Sequence, residues 1–345
     1  MSTLMTRFLL LASAAAIIAA APPPAPAPAT APAPAPTYKV TGSIAVPDGG
    51  WDYAKVDPKA DKLYVARTDS VTVVDLKSKT VSSIGAIVRG HAVVPIADTS
   101  LLLVSSGRDD SVRIFDTATG AEKAKIAVGS DPDAALYDGI TRHAYVMNAK
   151  AGTVSIIDPV AAKVVGTITL KPGLEFAVGT GSTLYVNNED ENEIETADMV
   201  TGKAGLVIPL AGCTGPTGLG YDKQRNRLIS ACANGKAAVV DLATKQVSLL
   251  AIGFGPDAVI IDRPRGVALI PCGKDGTLSV FDIASPGAAS VIATAPTEAG
   301  ARTCAVDRRD GTLYLPTARF APPATPGARP TPIPGSAHIL VISHG

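Results

Sequence analysis

Five polar side chains recur along this 345-residue chain at a spacing that invites a chemical reading. Asp52, His91, Asp133, Glu175 and Asp257 are separated by 39, 42, 42 and 82 residues, and Thr217 stands near the middle of the double step. Thr303 continues the series, with Arg302 immediately before it. Most of them open a short apolar run, as in His91-Ala92-Val93-Val94 and Asp257-Ala258-Val259-Ile260. If the fold brings them to one opening, four carboxylates, an imidazole and a guanidinium surround it. Hard carboxylate oxygens suit a divalent cation, and convergent charge at a concave mouth suits an amine-bearing ligand. A plainer role is also open: Asp133 and Asp257 follow Pro132 and Pro256, where an aspartate can cap a turn.

A second repeat shows what positions these residues. Val154-Ser155-Ile156-Ile157-Asp158 has counterparts ending at Asp75, Asp116, Asp198, Asp241 and Asp282, and a seventh copy ends at Ser343. The steps between these ends are 41, 42, 40, 43, 41 and 61 residues. A period of roughly 40–45 residues built of short strands marks a β-propeller blade. Each unit reads as four strands, a to d; in the third, strand a spans 133–138, b 143–148, c 153–158 and d 163–170. Asn234-Gly235 and Asp275-Gly276 are hairpin signals between strands b and c. The Asp that ends strand c can bond the following turn, so those six residues are read as structural. The fold class is therefore all-β, a seven-bladed propeller of four-stranded antiparallel blades.

The last unit has strands a, b and c at 303–307, 312–317 and 339–343, and then the chain stops. Residues 38–46 read as the missing strand d, completing the seventh blade and covering an exposed sheet edge. The long step of 61 residues comes from a Pro-rich insertion at 318–336, between strands b and c of blade 7. Long loops of this kind are often functional, and this one is expected to join the ligand surface if it lies on the same rim.

Leu63-Tyr64-Val65-Ala66, Ala144-Tyr145-Val146-Met147-Asn148 and Leu184-Tyr185-Val186-Asn187-Asn188, with Asp57-Pro58-Lys59 after a strand a and Thr-Gly at 119–120 and 201–202 after strand c, resemble the YVTN-repeat, YncE-like family of bacterial propellers. The resemblance covers residues 38–345. Trp51-Asp52-Tyr53, Gly90-His91, Pro216-Thr217-Gly218 and Gly300-Ala301-Arg302-Thr303 are similar to one exported branch of it. It implies the seven-bladed fold and no particular reaction, because propellers host many activities.

Arg7 followed by an apolar run of 13 residues, Phe8 to Ala20, reads as a secretory signal over 1–20 cut before Ala21, since a membrane span needs about 20 residues. Residues 21–37 form a Pro/Ala-rich linker suited to polyproline II, and 38–345 form the propeller. The expected location is periplasmic or secreted. Disulfides persist there, and Cys213 and Cys232 stand at the start and end of antiparallel neighbours, which makes them the preferred bridge. Cys272 and Cys304 are read either as a second bridge or as two buried thiols. Basic and acidic residues balance at 31 each and aromatics are 4%, which disfavours nucleic acid and anionic membranes as partners.

Four His and no Cys-x-x-Cys-His argue against copper or haem. Neither Gly-x-Ser-x-Gly nor a phosphate loop opening a helix occurs. The sequence thus points to an exported, non-catalytic binding module without a required cofactor. Its ligand, an unidentified protein or small molecule, is expected at a channel mouth built from Asp52, His91, Asp133, Glu175, Asp257 and Arg302. The alternative is a metal-dependent hydrolase of the lactonase type using a divalent cation at the same mouth. Lactonase propellers have six blades, against the seven counted here.

Overall fold

A computed structural model of the chain describes residues 36–345, apart from 286, 324 and 326–329. The expected signal and nearly all of the Pro/Ala linker lie outside the described residues. The rest forms seven four-stranded antiparallel sheets and one small two-stranded ribbon, Phe320–Ala321 with Thr331–Pro332. In the first six blades the strands follow chain order. Blade 3, for example, runs Pro132–Asp138, His143–Asn148, Thr153–Asp158 and Lys163–Thr169, within a residue of the expected strands.

The sheets form because each strand alternates β-branched or aliphatic residues at a period that buries both faces between neighbouring blades. The buried apolar residues fall into seven clusters, each between two adjacent blades, with Tyr53 of blade 1 added to the one between blades 3 and 4. Tyr64, Val73 and Phe115, for instance, join blades 1 and 2. Hairpin chemistry sets the turns. Oδ1 of each strand-c Asp accepts backbone N–H groups two and three residues on, as Asp75 does from Lys77 at 3.0 Å and Ser78 at 2.8 Å. The same pair recurs at Asp116, Asp158, Asp198, Asp241 and Asp282, so these six carboxylates are committed to turns, as expected.

Blade 7 combines the two ends of the chain. Tyr38–Ala45 pairs antiparallel with His338–His344, with Tyr38 opposite His344 and Ala45 opposite His338. His338–His344 then pairs with Leu313–Thr317, which pairs with Ala305–Val306. The N-terminal strand also packs sideways. Ile44 is buried in the cluster between blades 7 and 1, and Tyr38 in the one between blades 6 and 7. The first strand of every blade touches that of the next, blade 7 to blade 1 included, so these strands form the inner wall of a closed ring.

Cys213 and Cys232 bridge strands of blade 5, their sulfurs 2.12 Å and their Cα atoms 5.4 Å apart. Cys272 and Cys304 are buried free thiols, which settles the open choice against a second bridge; burial raises the Cys304 thiol to about 12. Among the described residues no helix is long and apolar enough to cross a membrane.

Candidate functional site: the acidic mouth of the channel

The site begins with a backbone irregularity. In blade 1, Trp51 pairs with Arg67 and Ala54 with Val65, so Asp52 and Tyr53 together oppose Ala66 alone. Blades 2 to 5 carry the same one-residue bulge at the start of strand a. Blade 6 repeats it, with Pro256 opposite Cys272 and Ile260 opposite Leu269. A bulge re-aims the side chains of its two residues. Here it does so at one rim of the ring, six times over.

The register places the expected residues. Asp52, His91, Asp133, Glu175, Thr217 and Asp257 hold the first bulge position of their blades. Blade 7 requires a correction. Tyr314 pairs with Ala305 as Tyr64 pairs with Lys55, and counting back three residues from Ala305 and Lys55 gives Arg302 and Asp52. Arg302, not Thr303, therefore occupies the equivalent point. Thr303 is buried behind it and donates its hydroxyl to the Asp52 carbonyl at 2.8 Å. Thr217 bonds the neighbouring blade's Pro256 carbonyl at 3.1 Å.

The charged members converge. His91 Nδ1 lies 2.6 Å from Asp52 Oδ2 and 3.7 Å from Asp133 Oδ2. Ligand atoms of these three residues all fall within 4.8 Å of one another. Arg302 Nε donates to Asp257 Oδ2 at 2.7 Å, and its guanidinium lies 4.0 Å from Asp52. It also donates to the Trp51 carbonyl at 3.0 Å. Among the described residues Glu175 forms no ion pair. The Glu189 carboxyl lies close enough to interact with it, and Glu189 belongs to the acidic turn Glu189-Asp190-Glu191.

Burial and mutual repulsion set the protonation. Burial, opposed in part by His91 and reinforced by the Asp52 and Asp257 charges, raises Asp133 to about 7. Burial and the Asp52 charge raise Asp257 to about 6 against the pull of Arg302. Glu175 is pushed well above the usual range by burial and by Asp133 and Asp257. For His91, burial alone would favour the neutral ring, but the bond to Asp52 and the charge of Asp133 outweigh it and raise the imidazole. The carboxyls thus compete for two internal cations, a protonated His91 and Arg302, and blade 4 has neither.

The second bulge position carries what sequence reasoning missed. It is occupied by Ala92, Ala134, Gly218, Ala258 and Thr303 in five blades, but by Tyr53 in blade 1 and Phe176 in blade 4. The two rings meet with centroids 5.1 Å apart and planes tilted by 59°. Blades 1 and 4 are not neighbours in the ring, so this contact is made across the axial channel. It lies one residue beyond the carboxylates and forms a floor beneath them. Burial and the charges of Asp257, Glu175, Asp133 and Asp52 push the Tyr53 hydroxyl well above its usual range, so it stays protonated. The signal available in the sequence was the size contrast at this one aligned position.

Both described ends of the Pro-rich insertion lie on the same rim. Asp48, in the turn leading to strand a of blade 1, accepts from the Gly335 N–H at 2.6 Å, and Phe320 packs on Trp51 with centroids 6.4 Å apart.

No protein-family model matches this chain, and no curated protein matches its sequence. Solved structures match it in fold. A chain of the hydrazine synthase of Kuenenia stuttgartiensis is similar at a TM-score of 0.69 and 16% identity, covering 78% of this chain and 94% of that one. A chain of a mitotic checkpoint complex is similar at 0.70 and 15%, covering 83% and 94%. At these identities the likeness is one of fold alone: the chain is a seven-bladed β-propeller.

Proposed function

We propose that this protein is an exported, non-catalytic propeller of the YVTN-repeat, YncE-like kind that binds a positively charged ligand at its channel mouth. The observation that carries this reading is the charge arrangement of the ring. A repeated bulge gathers Asp52, Asp133, Glu175 and Asp257 at one opening, where His91 and Arg302 answer those of blades 1, 3 and 6 and leave Glu175 of blade 4 without a cation. Desolvated like charges favour any cation that can share them. The Tyr53–Phe176 contact sets aromatic surface beside these carboxyls. The bridge between Cys213 and Cys232 is compatible with an oxidising compartment.

A second reading, a metal-dependent hydrolase, draws on the spacing of the Asp52, His91 and Asp133 donors within 4.8 Å. Titration calorimetry of the full chain with calcium, zinc, manganese and alkylammonium chlorides tests the cation reading as a whole. Saturable heat from at least one of them, lost in Glu175→Gln, is expected. Silence from all four would overturn it.

A further inference from the structure

We propose that the cation taken at this mouth is an organic primary ammonium group, a free alkylamine or a lysine side chain, seated over Tyr53 and Phe176 beside Glu175 and Asp133. The inference rests on the mouth being a cation site and names the class of cation.

Three observations favour an ammonium over a bare metal ion. First, the metal donors are already engaged. A metal ligand sits about 2.0–2.6 Å from its ion, but His91 Nδ1 is bonded to Asp52 at 2.6 Å, and the Arg302 guanidinium lies 4.0 Å from the same carboxylate. A dication would have to break that bond and approach a fixed positive charge. Second, the compensation is lopsided. The His91 imidazole is nine-tenths buried and held to Asp52, so the charge it carries when protonated lies on the blade 1–3 side. Arg302 is likewise tied to Asp257. Among the described residues neither Glu175 nor Glu189 forms an ion pair, and Lys171, which feels the charge of Glu191 in the same turn, is taken by Glu193. Third, the floor is aromatic. The face of a tyrosine or phenylalanine ring attracts a cation, and its apolar surface receives an alkyl chain that a hydrated metal ion does not have. No other pair of bulge residues supplies such a floor, because the remaining blades carry Ala, Gly or Thr there.

An ammonium has three N–H donors. Glu175 and Asp133 accept from it, and the ring face receives the charge. Binding transfers no group and needs no co-reactant.

The test is calorimetry at pH 8 with n-butylammonium chloride, the tripeptide Gly-Lys-Gly, calcium chloride and zinc chloride, each titrated into the full chain. Saturable binding of butylammonium or the peptide is expected, and whichever is tighter identifies the source as a free amine or a protein partner. Phe176→Leu, which keeps an apolar side chain but removes the ring, is expected to weaken it about fivefold, the equivalent of about 1 kcal/mol for one cation–aromatic contact. Phe176→Tyr, which keeps the ring, is expected to bind as the parent does. Should the Leu variant fail to fold, Glu175→Gln, expected to weaken binding more than tenfold, carries the same decision. Amine binding indifferent to Phe176→Leu in a folded protein, or to Glu175→Gln, would overturn the proposal. Saturable heat from a metal with none from either amine would also overturn it, while leaving the mouth a cation site. Silence from every probe would remove the cation reading itself.

Discussion

Replacing Asp133 with Asn should stabilise the protein, and should do so only above about pH 4. Asp133 titrates at about 7 in the fold against an ordinary 3.8, chiefly because it is desolvated and because Asp52 and Asp257 are near. Between those two values the folded state holds a proton that the unfolded state has released. Stability therefore falls as pH rises through this window: the contribution is intact below about pH 4 and fully lost above about pH 7. A shift of this size corresponds to roughly 4 kcal/mol at about 1.36 kcal/mol per unit. The side chain keeps 16% of its surface exposed, and His91, which gains from the Asp133 charge, loses it in the variant. About half the full figure, roughly 2 kcal/mol, is the expected gain at pH 8. For a fold of this size that is a rise in Tm of about 3 °C. Calorimetric melting of both proteins at pH 4 and pH 8 reads it, with Tm values within about 1 °C expected at the lower pH. A variant less stable than its parent at pH 8, or a gain of equal size at both pH values, would refute the argument that the mouth stores repulsion between carboxylates.

Two further outcomes follow from the way the ring is held shut. Removing residues 38–46 exposes the edge of His338–His344 and strips Tyr38 and Ile44 from two separate blade interfaces. The truncated protein is expected to lose several kcal/mol, each buried side chain counting for about 2. An unchanged melting temperature would show that the strand is not the clasp. Reducing the Cys213–Cys232 bridge opens a loop with a sequence separation of 19 residues, worth roughly 3 kcal/mol in the chain-entropy model. The paired Ala variant should melt several degrees lower and keep butylammonium affinity, because the bridge holds blade 5 and touches none of the mouth carboxylates. A loss of affinity with no loss of Tm would be the opposite of this expectation.

How much of this was legible in the sequence depends on whether the instruction was local. Strand c and its turn are written within about eight residues, so Val154 to Asp158 and its copies predict both the strand and the cap that Asp158 makes to Val160 and Ala161. Ring closure was legible because one blade lacked a strand and residues 38–46 supplied one. Cys213 and Cys232 could be paired because antiparallel neighbours place a start beside an end. Arg302 was placed one residue out of register because strand a of blade 7 has only Ala305 and Val306 in its ladder, leaving little pattern to align. The Tyr53–Phe176 contact was legible only as a size contrast at one aligned position, not as a contact. Tyr53 and Phe176 are 123 residues apart in sequence, and their contact depends on the diameter of a ring that no single blade encodes.

That last point bears on how the mouth can change its ligand without changing the fold. The bulge is a backbone feature repeated in six blades, and the packing between blades depends on strand residues that follow it. The first bulge position sets charge and the second sets the floor, and the two positions lie side by side in every blade. Substitutions at the first position touch none of the seven interblade cores, whereas at the second Tyr53, Ala92 and Ala134 are counted among their buried members. The choice of Asp, His, Glu, Thr or Arg around the rim is thus almost free of the demands of folding, whereas the choice of Ala, Gly or Thr against Tyr and Phe decides whether the channel is open or closed. A desolvated ring of four carboxylates is expensive to hold, as the upward shifts of Asp133, Glu175 and Asp257 record. Nothing in propeller packing requires it. On the proposed reading, the positive charge of a bound cation repays this desolvation, and the Tyr53–Phe176 contact lies one residue further along the channel from it.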